Sequence, residues 1–259
     1  MEPANHIIEI RTGIMLKMNI LRLTQTGSTN SFALSLLSKN RPDEGYVVIT
    51  DHQTDGKGLE ANVWESEAGK NLTFSIILYP DFAAEQQFTL NKAISLGIYA
   101  FLQNELGKVQ VSVKWPNDIY LSNKKACGIL IQNSLIGNRY DYAIVGIGLN
   151  VNQTTFLSDA PNPVSMKMIT GIEYNLEELL KKLLNEIFLR YSQVKTTPKK
   201  IGQDYQNALY RFMEWHYFEV KKNRIYGRIT GTNEYGQLLI ETESEPVLIY
   251  DLKEIKFLF

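Results

Sequence analysis

Apolar side chains recur along this chain with two periods, and the switches between them mark its elements. Residues 19–23 alternate weakly and read as a short strand. Phe32, Ala33, Leu36 and Leu37 return at helical spacing, so a helix is predicted to about Ser38, with Gly27-Ser28-Thr29-Asn30 as turn and cap. Residues 46–51 and 72–78 carry near-continuous apolar runs and predict strands, the second ended by Pro80. From about 85 to 106 the apolar positions mark one face of a long helix. Strand patterns return at 109–113, 126–134 and 140–150, and Gly137-Asn138 between the last two signals a hairpin. A short helix at 165–170, a helix capped by Asn175 and another at 199–210 follow.

After Arg211 the pattern changes. Short strands are predicted at 215–220, 224–232, 237–241, 247–250 and 254–258, with no helix among them. That density of strands predicts a small SH3-like β-barrel. The fold class is therefore α+β, a mixed β-sheet with helices followed by a small β domain. The division expected is an N-terminal extension at 1–18, a catalytic-sized domain at 19–211 and the small domain at 212–259.

Composition narrows the function classes. The chain has 259 residues, 44% hydrophobic and 21% charged, with a net charge of −1 and a pI near 6.3. Such a balance does not call for nucleic acid as the main partner. The single cysteine, Cys127, excludes an intramolecular disulfide and fits a cytoplasmic protein. It sits inside a strand pattern and reads as a small core residue. His6, His52 and His216 are too scattered for a local zinc motif. Apolar runs fall short of a membrane span, and the charged start, with Glu2 and Glu9, is not a signal peptide.

Four stretches carry chemistry. Lys114-Trp115-Pro116-Asn117-Asp118, followed by Lys124-Lys125 and Gly128-Ile129-Leu130, concentrates cations where the backbone reverses. Gln53 leads into Gly56-Lys57-Gly58 and Trp64-Glu65-Ser66, and a Gly-X-Gly loop lets backbone N–H groups approach an anion. Ser28 and Thr29 read on their own as a helix cap, and beside a ligand as polar contacts. Gly146-Ile147-Gly148-Leu149-Asn150 ends a strand, where glycine marks a close approach of backbone or ligand. No GxGxxG helix follows, so it is not a dinucleotide fingerprint.

Taken in chain order, Ser28-Thr29-Asn30, then Gln53 to Ser66, then Lys114 to Leu130, then Gly146 to Asn150, the four stretches resemble a biotin–protein ligase, a biotin–acetyl-CoA-carboxylase ligase, from about residue 19 to the C-terminus. The resemblance implies the class II synthetase-like catalytic fold of biotin and lipoate ligases with an SH3-like end domain. It implies that the biotin carboxylate attacks the α-phosphate of ATP, with Mg²⁺, to give biotinyl-5′-AMP, and that one lysine of a biotin carboxyl carrier protein then takes the biotin. Both nucleophiles come from substrates, so the protein supplies charge and positioning. The residues implied as catalytic are Lys125, Asp118 and Lys57. The biotin side falls on Ser28, Thr29, Asn30, Gln53, Gly56, Lys57, Lys125, Gly128 and Gly146. The ATP side falls on Lys57, Trp64, Lys114, Asn117 and Asn150, with no protein-bound metal. Lys114 is expected to support, and Lys124 to face solvent.

Departures from the family pattern lie in the glycine loop. Lys57 and Leu59 stand where arginines are usual and Ala61 where a glycine is usual, which implies looser retention of the adenylate or a compensating cation such as Lys70. Gln132 stands where an acidic residue often follows Gly128-Ile129-Leu130. With no room before residue 19 for a winged helix-turn-helix, specific DNA binding is not expected. A homodimer is left open. A lipoate–protein ligase and a non-catalytic biotin sensor are the competing readings. The first is opposed by the Lys114–Asp118 string and the β end domain, the second by Lys125.

Overall fold

The computed structural model describes residues 4–11, 15–59, 62–158 and 162–258, with backbone alone for 4–11 and 15–17. An eight-stranded sheet forms its frame. The strands are β1 (Ala4–Arg11), β2 (Met15–Thr26), β3 (Tyr46–Gln53), β4 (Leu72–Leu78), β5 (Val111–Lys114), β6 (Asp118–Leu121), β7 (Lys124–Ile136) and β8 (Arg139–Leu149), in the order β1-β2-β3-β4-β8-β7-β6-β5. The β2–β3 pair is parallel, because α1 (Thr29–Leu37) crosses over between those strands. The other neighbours in this sheet pair antiparallel.

The sheet alternates by residue, and that alternation creates the site. On β4, Leu72, Phe74, Ile76 and Leu78 enter the main core, while Ile77 belongs to the cluster under α1. On β8, Val145, Ile147 and Leu149 enter the main core, so Gly146 and Gly148 fall on the α1 face. On β7, Cys127 and Ile129 are core and Gly128 faces the α1 side. Where α1 stops covering that face, the sheet offers glycine and small polar side chains instead of a packed apolar layer.

The opposite face is sealed by α2 (Gln87–Leu106), α4 (Leu176–Thr196) and α5 (Pro198–Ala208). A short helix, α3 (Met166–Thr170), follows the site loops, capped by Ser165, which accepts from Met168 N. Asn175 caps α4 as expected, accepting from Glu177 and Glu178 N–H groups. Gly97 of α2 allows close helix packing, since a Cβ there would lie 2.5 Å from the Ile187 Cα of α4.

Two expectations change. Within residues 1–18, expected outside the fold, Ala4–Arg11 pairs with Met15–Arg22 as an edge hairpin of the sheet. It escapes the pattern because pairing at a sheet edge is set by backbone hydrogen bonds to the neighbouring strand, which leave no local motif. The stretch from Lys114 is two successive hairpins, β5–β6 and β6–β7, rather than one turn, because β6 is only four residues long. The C-terminal segment carries the five short strands expected of it. The strands β9 (Trp215–Val220), β10 (Asn223–Thr232), β11 (Leu238–Thr242), β12 (Leu248–Tyr250) and β13 (Ile255–Phe257) form a five-stranded antiparallel sheet ordered β12-β11-β10-β9-β13. Its buried residues Phe218, Ile229, Leu238, Ile240 and Ile255 belong to the same hydrophobic cluster as the main sheet. The small sheet is therefore packed against the main core. The β9–β10 turn is centred on Lys221 and Lys222, both at positive φ.

Candidate functional site

Two adjoining cavities, of about 390 and 410 Å³, open on the α1 face. Asn62, Val63, Trp64, Asp118 and Lys125 line both, so these residues form the partition between them.

The β6–β7 hairpin builds the charged centre. Asp118 pairs with Gly128 and Tyr120 with Lys125, with a bulge between Ile119 and Tyr120. The bulge re-aims the side chains, and Lys125 Nζ reaches Asp118 Oδ1 at 2.7 Å. Both are mostly sheltered, with 25% and 19% of the side chain exposed, which strengthens the pair relative to a surface one. The same ammonium lies 5.8 Å from the Trp64 ring centroid. The backbone of Lys125 is also held, donating to Asn162 O and accepting from Val164 N, both at 2.9 Å. Lys124, its neighbour, is exposed.

Lys114 differs. Its Nζ lies 4.7 Å from the Phe257 ring centroid and 5.7 Å from that of Tyr120. Burial lowers its pKa, with Asp118 acting against the fall and Lys125 and Arg211 adding to it. The Trp115-Pro116 peptide is cis. That turn is clamped from outside: Trp115 Nε1 donates to Gly236 O at 2.7 Å and Tyr205 OH to Pro116 O at 3.0 Å. Asn117 donates through Nδ2 to Ile129 O, and its own carbonyl accepts from Ile129 N at 3.1 Å. The amide of Asn117 therefore holds the turn against β7.

Trp64 lies flat on a glycine floor. Gly128 and Gly148 pair across β7 and β8. A Cβ on Gly148 would meet Trp64 Cε2 at 2.2 Å, and one on Gly128 would meet Cζ3 at 2.9 Å. Any side chain at either place would push the indole away. Gly56 does not line either cavity. It carries the loop past Trp64 instead, accepting from Trp64 N at 2.9 Å, and its Cβ would strike Trp64 O at 2.2 Å. Gly58 N donates to Asn62 O at 2.7 Å, so the loop returns as a narrow ribbon with Lys57 opposite Val63. Ala61 lies outside the described residues.

The helix start is a polar network rather than a simple cap. Ser28 makes no side-chain capping bond to α1 and lines the first cavity. Gln53 Oε1 accepts from Thr29 N at 2.9 Å and Thr29 Oγ1 at 3.2 Å. Ser75 Oγ lies 2.7 Å from Thr29 Oγ1 and 2.6 Å from Asn30 Oδ1. Asn30 Nδ2 donates to Leu130 O at 3.3 Å and Gln132 Oε1 at 3.1 Å. Gly146 leaves room for this, since a Cβ there would lie 2.3 Å from Asn30 Oδ1. Gln132 thus serves to hold Asn30 in place.

In the second cavity, Asn150 donates to Val164 O at 3.2 Å. Its buried Oδ1 has no partner among the described residues, nor has Trp64 Nε1. Buried polar atoms without partners point to a ligand's donors and acceptors. Lys70 is not in either cavity; it pairs with Glu173 at 3.8 Å. The cations that join the first cavity beyond Lys57, Lys114 and Lys125 are Lys253 and Lys256, beside Leu252. The sequence pattern does not single these out, because the register of a short C-terminal strand against a distant cavity leaves no local motif. Among the described residues, no group of three or more His, Cys, Asp or Glu is placed to hold a metal ion. Among them, too, no helix is long and apolar enough to cross a membrane.

Residues 22–150 match the model of the biotin/lipoate A/B protein ligase family. A biotin–[acetyl-CoA-carboxylase] ligase of Paracoccus denitrificans is 31% identical over 174 residues, 65% of this chain and 71% of that protein. The chain belongs to the biotin/lipoate A/B protein ligase family. Within that family its likeness extends over nearly its whole length. A bifunctional ligase/repressor BirA of Bacillus spizizenii is 29% identical over 254 residues, 93% of this chain and 76% of that protein. A solved biotin protein ligase from Aquifex aeolicus, in complex with biotin and ATP, superposes with a TM-score of 0.75 at 28% identity, covering 92% of this chain and 97% of that one. The family match begins within β2 and ends at Asn150, so it encloses both cavities' walls on the main sheet.

Proposed function

We infer that this protein attaches biotin to a lysine of a biotin carboxyl carrier protein at the expense of ATP, through biotinyl-5′-AMP. One observation carries the reading most directly. Lys125 stands in the wall between two cavities, one floored by the α1 network and one by Asn150, where two substrates' reacting ends would meet.

Biotin takes the first cavity, with Ser28, Thr29 and Gln53 toward its polar head and Gly128 and Gly146 giving it room along the sheet. Asn30 and Gly56 act indirectly, the first by holding the network and the second by seating Trp64. ATP enters as its Mg²⁺ complex and takes the second cavity, with Trp64 as an aromatic surface and Asn150 Oδ1 as an acceptor. Lys57 and Lys114 line the first cavity, and are read as meeting the phosphates where the two cavities join. The biotin carboxylate forms a bond to the α-phosphorus, and the bond to the pyrophosphate oxygen breaks. Lys125 neutralises charge shared by that carboxylate and the α-phosphate, and Asp118 fixes its position. The carrier lysine's amine then attacks the acyl carbon. AMP leaves and the amine loses a proton, giving an amide. The five C-terminal strands are read as the SH3-like end domain of this family, and the protein as cytoplasmic.

The competing substrate is lipoate. A test is pyrophosphate exchange into ATP, with biotin or lipoate as the acid. Exchange that needs biotin and is not supported by lipoate is expected. Exchange with lipoate alone would overturn the choice of substrate, and no exchange with either would overturn the adenylation.

A further inference from the structure

Glu65 follows Trp64 directly, yet its side chain leaves the glycine loop and reaches a segment more than ninety residues away in sequence. Its Oε1 accepts from Leu157 N at 2.9 Å, and its Oε2 accepts from Leu157 N at 3.0 Å and Ser158 N at 2.7 Å. Gln153 Nε2 adds a further bond at 3.2 Å. Gln153 is itself buried, 1% exposed, and its Oε1 accepts from Glu67 N at 2.9 Å and from Asn71 Nδ2. Burial acts to raise the Glu65 pKa, but the hydrogen bonds from Leu157, Ser158 and Gln153 prevail and lower it, so the carboxylate is held ionised.

These bonds tie together two irregular segments that both line the second cavity. Trp64 and Glu65 from the first segment and Phe156 and Ser158 from the second all line it. Leu157 between them is 88% exposed, so no apolar packing of its own holds this segment down. Two backbone N–H groups that would otherwise need water or a ligand are satisfied by the carboxylate.

We propose that Glu65 is a positioning residue for the nucleotide. By bonding the backbone of Leu157 and Ser158 it pre-forms the part of the wall that Phe156 and Ser158 supply, so that ATP meets a cavity already shaped. The proposal rests on the assignment of the second cavity to ATP. It also gives the glycine loop an anchor at the same place where it lacks the family's usual arginines: a carboxylate on backbone donors rather than a cation on the ligand.

The test is calorimetric titration of α,β-methylene-ATP, which cannot release pyrophosphate, into biotin-saturated protein, with a separate biotin titration. Glu65→Ala is expected to weaken nucleotide binding about tenfold, as loss of charge-assisted hydrogen bonds predicts, with biotin affinity within about twofold. Glu65→Gln keeps an acceptor oxygen and is expected to fall between. Amide exchange at Leu157 and Ser158 should quicken in Glu65→Ala. Unchanged nucleotide affinity, or an equal loss for biotin and nucleotide, overturns the proposal. Wild-type protein that binds the analogue nowhere near Trp64, judged by unquenched Trp fluorescence, overturns the assignment of the cavity instead.

Discussion

Asp118 and Lys125 meet 2.7 Å apart across the hairpin turn at Ser122 and Asn123, and they are the ion pair that stands between both cavities. The β-bulge at Ile119 and Tyr120 sets their separation, so the pair is a product of strand register. Asp118 orients the ammonium rather than supplying the charge. Asp118→Ala is therefore expected to slow biotin-dependent pyrophosphate exchange by about tenfold, roughly 1.4 kcal/mol in the barrier, less than loss of Lys125 itself. An exchange rate within twofold of wild type would show that Lys125 is positioned without it.

The two glycines of β8 each make room for a different side chain, Gly148 for Trp64 and Gly146 for Asn30, and on the proposed reading these serve different substrates. Gly148→Ala places a methyl against the Trp64 indole and Gly146→Ala places one against Asn30. Each overpacks a built contact, at about 1–3 kcal/mol. Gly148→Ala is expected to raise KM for ATP with little change for biotin, and Gly146→Ala the reverse. Steady-state exchange kinetics with each substrate varied would contradict this assignment if both variants shifted the same KM.

Cys127 lies in β7 two residues past Lys125, fully buried in the main core. Burial pushes its thiol pKa strongly up, with Asp118 adding to the rise and Lys125 opposing it. It is expected to resist iodoacetamide at pH 8 in the native protein and to react once unfolded in guanidinium. Rapid alkylation of the native chain with loss of exchange activity would contradict a purely packing role.

Most of the frame is legible in the residues. Leu72–Leu78 is read from its apolar run and is a central strand. The hairpin at Gly137, with φ of 61°, is where Gly-Asn predicts it. Asn175 caps its helix. What escapes is set by distance rather than by local pattern. The strand at Asp118–Leu121 is too short to show a period, and its neighbours hide it in a polar turn. The edge hairpin of Ala4–Arg11 needs a partner face that its own alternation does not announce. Within the site, the motif order marks Lys125 and the glycines, but not that Asn30 is occupied by Ser75 and Gln132. Nor does it mark Glu65 as an anchor, since the partners of that carboxylate lie beyond Asn150. The expected compensating cation, Lys70, is engaged with Glu173 instead.

The most direct measurement of the central claim is transfer itself. The protein is incubated with biotin, MgATP and a biotin carboxyl carrier domain, and carrier labelling is followed by intact mass for wild type and Lys125→Ala. Wild type is expected to add one biotin to one carrier lysine, and Lys125→Ala to label about 10²–10³ times more slowly while keeping its fold, as loss of a preorganised charge predicts. Equal labelling by the two proteins would contradict the assignment of the chemistry to Lys125, and no labelling by wild type would contradict the ligase reading.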